Sequence, residues 1–166
     1  MFIPGEVISL LTFPGVIIHE LAHKIFCEMV GVQVYEVCYF RLGNPAGYVK
    51  HEPVHGYNQA FLISVAPFLL NSILAFMIFL FAVHISEGYF QYFLYWFGIS
   101  IAMNSFPSNE DADNLWNYSK RAWKVTPLAL FGFPVVILIK IANVLSIVWF
   151  DLFYAIGLLV LAGGAI

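Results

Sequence analysis

Charge is scarce in this sequence. Asp, Glu, Lys and Arg together make up 10% of its 166 residues, against about a quarter in an average soluble domain. Hydrophobic residues account for 61% of the chain, aromatic residues for 18%, with 17 phenylalanines, and the mean hydropathy is +0.85. A soluble fold of that composition would expose large apolar patches, so lipid is the expected solvent for most of the surface. The net charge of -3 is too small to imply a nucleic-acid or acidic partner. Cysteine is scarce too: Cys27 and Cys38 form no Cys-x-x-Cys pair, which argues against a cysteine-rich zinc site and a disulfide framework. The apolar stretch over residues 1–11 lacks a basic flank and a small-residue cleavage site, so it is expected to be a retained span, not a signal peptide. No internal repeat or low-complexity linker divides the chain, and residues 1–166 are read as a single transmembrane domain.

The first segment, residues 4–30, is apolar through Ile18 and then carries His19, Glu20, His23, Lys24 and Glu28. At about 1.5 Å per residue, residues 2–18 reach most of the way across a hydrocarbon core of roughly 30 Å. Both histidines are therefore expected in the far part of one span. Residues 32–37 alternate apolar and polar, residues 43–47 form a turn cluster, and Tyr48-Val49-Lys50-His51 reads as a return strand. A small β-hairpin is expected over residues 32–52. A second span covers residues 60–83, interrupted by Asn71-Ser72, and a turn at Ser86-Glu87-Gly88 leads to a thinner third span over residues 89–103. After the polar stretch 104–124, residues 127–166 hold only Lys140 and Asp151 as charges. Helical throughout, that tail would measure about twice the hydrocarbon core, giving two spans or one span plus a re-entrant piece. The expected fold is an all-α integral membrane bundle of four to five transmembrane helices with a small β-hairpin between the first two spans.

Basic residues set the expected orientation. Arg41 and Lys50 follow the first span and Lys120, Arg121 and Lys124 follow the third, while the loop after the second has neither Lys nor Arg. The positive-inside rule then puts the N-terminus outside a multi-pass cell-membrane protein, with the loops after the first and third spans in the cytoplasm.

His19 and His23 are four residues apart, so on a helix they stack on one face, close enough to share a metal ion. Imidazole is a standard zinc ligand, and a catalytic zinc takes three protein ligands and a water. Glu20 directly follows the first histidine, where its carboxylate reaches such a water as a general base. The alternative is that these groups face the bundle interior and hydrogen-bond to other spans. Against it stands the insertion cost of two histidines and a glutamate within one stretch of membrane helix. A bis-histidine haem site is excluded, because neighbours on one helix face cannot approach an iron from opposite sides.

A third ligand is needed. Cys27 continues the histidine stripe but lies roughly 12 Å from His19 along the axis, and is read as a packing residue. His51 and His55 lie in the hairpin region and have flexible reach; His84 falls at the opposite end of the second span and is excluded. The acidic cluster Glu110-Asp111-Ala112-Asp113 emerges after the third span, on the same side as the end of the first. It also reads as a helix start capped by Ser108, with Asp111 three residues on. For Asp111 both roles can hold together.

The segment His19-Glu20-Leu21-Ala22-His23, followed by Asn104-Ser105-Phe106-Pro107-Ser108-Asn109-Glu110-Asp111, resembles the site-2 protease family of intramembrane zinc metallopeptidases. That family joins a membrane-embedded His-Glu-x-x-His helix to a later Asn…Pro…Asp segment supplying the third ligand. The common form has the aspartate two residues after the proline and followed by glycine. Here Pro107 stands four residues before Asp111 and Ala112 follows, the pattern of a divergent member. Ala66-Pro67-Phe68-Leu69-Leu70-Asn71 resembles the family's Gly-Pro-x-x-Asn stretch with one extra residue. The resemblance implies one zinc ion held by His19, His23 and Asp111, Glu20 as catalytic base, and Asn71 and Asn104 as substrate-positioning residues. It further implies endopeptidase activity on membrane proteins or membrane-associated peptides. The hairpin could hold such a substrate extended by strand addition. The rivals are a zinc hydrolase of another membrane amide and a metal-binding scaffold without turnover, for which Glu20 would be dispensable.

Overall fold

The computed structural model describes residues 4–85 and 87–164. The first three residues of the expected N-terminal span, Ser86 of the expected turn and the last two residues of the tail lie outside the described residues. Helices α1 (Gly5–Leu11) and α2 (Phe13–Met29) lead into an antiparallel hairpin, β1 (Val34–Cys38) and β2 (Tyr48–His51). Helices α3 (Tyr57–Val83), α4 (Tyr89–Met103), α5 (Asn109–Ala122), α6 (Gly132–Leu145) and α7 (Phe150–Gly164) follow. Short 3-10 turns, Pro127–Phe131 and Ser146–Val148, flank α6.

One helix, α3 with 27 residues, and the apolar stretch Pro127–Val148 with 22 are each long and apolar enough to cross a membrane. The α1–α2 pair adds a third if the two are one broken span. The other two apolar helices, α4 and α7, have 15 residues each, a length of about 22 Å. Two to three helices thus meet the length requirement, where four to five spans were expected. The tail divides into two helices at Trp149, which adopts a left-handed backbone with φ of 66°.

The first segment is not straight. Between α1 and α2 the axis turns by 87°. Thr12 (φ -113°, ψ 28°) leaves the helical region and Pro14 sits in the first turn of α2, the place where a missing N–H costs least. The expectation of one continuous helix through Ile18 fails for this reason. His19 consequently lies near the middle of the 17-residue α2 and not in the far part of a long span.

The hairpin matches the expected strands, with Val37 opposite Val49 and Cys38 opposite Tyr48. An ion pair of 2.7 Å joins Lys50 to Glu36 across it.

Two cores share α3. One packs Ala75 and Phe79 of α3 with Ile101 and Ala102 of α4 and Ala155 and Ala162 of α7. The other packs Tyr57 with Ala112 and Leu115 of α5 and Val136 and Ile139 of α6. Small residues let the helix backbones approach closely. The large side chains Ile73, Leu138 and Val160 point outward, each at least 60% exposed.

Helices α2 and α4 cross closely at Gly15, where an added Cβ would collide with the main-chain oxygen of Ser100. Backbone cannot yield there as a side-chain tip can. Gly15→Ala is expected to lower unfolding stability in detergent by about 1–3 kcal/mol. Gly157→Ala meets nothing within 4 Å and gains helix propensity, so it is expected to remain at or above the parent in the same thermal or denaturant unfolding measurement.

Candidate metal centre

The imidazoles of His19 and His23 stand on adjacent turns of α2 with ring centroids 4.9 Å apart. Nδ1 of His19 lies 2.8 Å from the carbonyl oxygen of Asn104, and Nδ1 of His23 lies 3.0 Å from that of Ile63. A carbonyl only accepts, so both Nδ1 atoms carry the proton and donate it. In the neutral rings both Nε2 atoms then hold lone pairs, and these face each other at 3.3 Å. Oδ2 of Asp111, a further acceptor, lies 3.6 Å from Nε2 of His23. The ligand atoms of the three residues all fall within 4.8 Å of one another.

Three acceptors turned on one point repel unless a cation sits among them. A proton on His23 would serve one neighbour and leave the remaining acceptor unpaired, whereas a metal ion serves all three. The 3.3 Å between the two Nε2 atoms and the 3.6 Å from His23 to Asp111 lie near the roughly 3.3–3.4 Å between ligand atoms held at about 2.0–2.1 Å around a four-coordinate zinc. Donation of the second ring nitrogen to a carbonyl is also the usual outer support of a metal-bound histidine.

Asp111 reaches this point from the first turn of α5. Ser108 is the N-cap, its hydroxyl accepting from the Asp111 N–H at 3.1 Å. Oδ2 of Asp111 accepts in return from the Ser108 N–H at 2.9 Å and hydroxyl at 2.6 Å. The reciprocal cap expected from the sequence is present, and it aims the carboxylate. Ser64 of α3 holds the same residue from the other side, donating to its carbonyl at 3.2 Å. Burial alone would raise the Asp111 carboxyl; positive charge on the imidazoles, His23 above all, lowers it whenever they are protonated, and the Ser108 hydrogen bonds lower it further. It is ionised wherever the protein is folded near neutral pH, as a ligand must be.

Glu20 is 8% exposed, and its carboxylate accepts no hydrogen bond among the described residues. Gly47, from the hairpin loop, lies directly over it: a Cβ there would fall 2.6 Å from Cγ and 2.9 Å from Oε1 of Glu20. The loop thus roofs a cavity of about 540 Å³ into which His19, Glu20, His23 and Asp111 all face, with Tyr48 and Asn104 in its walls. No Lys or Arg lines it.

The two asparagines are differently placed. Asn104 lines the cavity, but its amide nitrogen donates to the Ser100 carbonyl at 2.9 Å. Asn71 is fully buried and its amide donates to the Asn104 carbonyl at 2.9 Å, behind His19. In this structure Asn71 braces the carbonyl that receives His19 and does not line the cavity. Among the other candidates, Cys27 is buried against Val32 and Ile63 as a packing residue. His51 lines the cavity, with Nδ1 on the Glu52 carbonyl at 2.7 Å, and stands outside the three-ligand group. His55 and His84 are also outside it. Glu110 lines the cavity wall, and Asp113 is paired with Lys140 at 2.6 Å.

No protein-family model, curated protein or solved structure matches the chain. The geometry of the centre is therefore what supports a functional reading. Sequence reasoning missed three contributors. Ile63 acts through a backbone carbonyl and Gly47 through having no side chain, and neither property is a sequence signal of chemistry. Ser64 is one residue among many hydroxyls.

Asp111→Asn keeps an oxygen for the cap but loses the charge. Its zinc affinity, measured by chelator competition, is expected to drop by more than the roughly 10- to 100-fold that outer-support changes cost. Asp113→Ala is expected to leave zinc binding unchanged, since it removes only an exposed ion pair.

Proposed function

We propose that the chain is a zinc-dependent, membrane-embedded endopeptidase related in design to the site-2 proteases. The observation that carries the reading is the convergence of two Nε2 atoms and one carboxylate oxygen, with Glu20 beside them in the same cavity. His19, His23 and Asp111 would hold one zinc ion. Zinc bound there supplies a Lewis acid for a peptide carbonyl and makes water a better proton donor.

Glu20 takes the proton from the attacking water and passes it to the departing amine. Its carboxylate is suited to this because no hydrogen bond ties it down and the Gly47 roof limits solvent around it. The substrate enters the cavity beside β2, whose Tyr48, Val49 and His51 form part of the wall. An extended peptide pairing with that strand would have its backbone held along the wall. A membrane-protein segment or membrane-associated peptide is the expected substrate, and nothing in the cavity suits a nucleic acid.

On this reading the bundle crosses the cell membrane four or five times, with α4 and α7 as its short spans. The N-terminus is outside and the cavity opens toward the cytoplasm. The basic residues Lys120 and Arg121, in the last turn of α5, support that orientation.

Glu20→Gln is expected to bind zinc as the parent does and to cleave a mixed membrane-peptide library roughly 100- to 10,000-fold more slowly. Near-parental turnover would remove Glu20 from the mechanism. Full zinc binding with no turnover in either protein would favour a metal-binding scaffold. Orientation is tested with single cysteines in sealed vesicles, on a background lacking Cys27 and Cys38. A thiol at position 117 is expected to react from the cytoplasmic face and one at position 87 from the outer face. Reversed labelling would invert the topology, and labelling from one face only would remove α4 as a span.

A further inference from the structure

We propose that Pro67 and Asn71, one turn apart on α3, are positioning residues of the metal centre: they present the two carbonyls that hold His19 and His23 with their Nε2 atoms toward the ion. This rests on the metal-centre reading and not on peptide cleavage.

The argument starts from helix geometry. The N–H of each helical residue donates to the carbonyl four residues back. The partner of the Ile63 carbonyl would be the N–H of residue 67, and Pro67 has none. Pro67 lies inside the 27-residue α3, not in its first turn, and is fully buried. A proline there is costly to a helix, both for the lost bond and because its ring crowds the same carbonyl. The carbonyl so released is the one that His23 Nδ1 meets at 3.0 Å. Without it, a buried imidazole N–H on α2 would face a helix whose carbonyls are already engaged. His23 could then carry its proton on Nε2, where the metal must bind.

One turn further along, Asn71 does the corresponding work for His19 through Asn104. Its Nδ2 lies 2.9 Å from the Asn104 carbonyl, with the carbonyls of Gly15 and Ile101 at 3.5 Å. The Asn104 carbonyl, at the C-cap of α4, is beyond the helical ladder and takes His19 Nδ1 at 2.8 Å. Asn71 fixes that oxygen between α2, α3 and α4. Its own Oδ1 is buried without a partner among the described residues. An arrangement that leaves an acceptor unsatisfied costs stability, so packing alone does not account for an asparagine here. Neither Pro67 nor Asn71 lines the cavity, and both act through a backbone oxygen.

This assigns a use to the Ala66–Asn71 stretch singled out in the sequence, and it predicts opposite signs for folding and for metal binding. Pro67→Ala restores an N–H that competes for the Ile63 carbonyl and improves helix propensity. Asn71→Leu removes the donor and the unsatisfied acceptor together. Each full-length variant is compared with the parent in detergent for zinc affinity, thermal unfolding of the metal-free protein, and imidazole ¹⁵N shifts. Zinc affinity is expected to fall by roughly 10- to 100-fold in each, while the metal-free midpoint stays level or rises. The ¹⁵N spectra should show a crossed pattern. His23 becomes a tautomer mixture in Pro67→Ala, and His19 does so in Asn71→Leu.

Unchanged zinc affinity and tautomers in either stably folded variant would overturn the assignment for that residue. Zinc affinity lost in step with unfolding, with no crossed pattern, would reduce both residues to packing. Should Pro67→Ala fail to fold, Asn71→Leu alone decides, since loss of the His19 tautomer in a stable protein supports the proposal and its retention refutes it. The tautomer readout uses metal-free protein, so a parent that binds zinc but cleaves no peptide leaves this inference standing. A parent that binds no zinc removes the metal centre and this inference with it.

Discussion

Two hydrogen bonds govern the rest of this structure: those from the Nδ1 atoms of His19 and His23 to main-chain carbonyls of neighbouring helices. They decide on which nitrogen each ring carries its proton, and so where its lone pair points. With both Nε2 atoms turned inward beside a carboxylate, the interior of the bundle holds a concentration of acceptors that a cation would relieve. Everything around the centre can be seen as holding that arrangement. Gly15 lets α2 lie against α4, so that His19 reaches the Asn104 carbonyl. The Ser108 cap aims Asp111, and the hairpin loop closes over Glu20.

Helix α3 is the common support. Its carbonyl at Ile63 receives one histidine, its Ser64 hydroxyl holds the residue that carries the carboxylate, and its Asn71 braces the carbonyl that receives the other histidine. It also belongs to both cores. In a chain with so few charged residues, backbone carbonyls stand where a carboxylate is another common partner behind an imidazole. In an apolar surrounding this has a physical advantage. A carbonyl brings no charge to be desolvated, while an additional buried carboxylate would.

Much of the centre was legible in the sequence because its parts obey local rules. A spacing of four puts two histidines on one helix face, a serine three residues before an aspartate makes a reciprocal cap, and alternation over residues 32–37 marked the first strand, which forms over Val34–Cys38. The count of apolar segments between His23 and Asp111 was enough to bring them to one level, and the structure places their ligand atoms together. What was not legible depended on tertiary fit or on backbone atoms, which one-letter code does not distinguish. The turn at Thr12 had a signal in Pro14, overridden by the length of the apolar run. The break at Trp149 had none, since a left-handed residue there is neither glycine nor asparagine. The burial of Asn71 followed from which face of α3 meets α2 and α4, and α3 is apolar nearly all round, so its sequence shows no preferred face.

The double service of Asp111 has a thermodynamic side. The oxygen that faces the histidines is also the one that closes the first turn of α5 through Ser108. If the group holds an ion, winding of that turn and its capture are linked equilibria: whatever free energy the ion would gain from Asp111 would be added to the order of the helix start, and any fraying of the helix start would be subtracted from affinity. Were an ion held there, the start of the polar helix α5 would be ordered in proportion to its occupancy, and metal-free and metal-bound forms would differ in local opening of α5 even with the same fold.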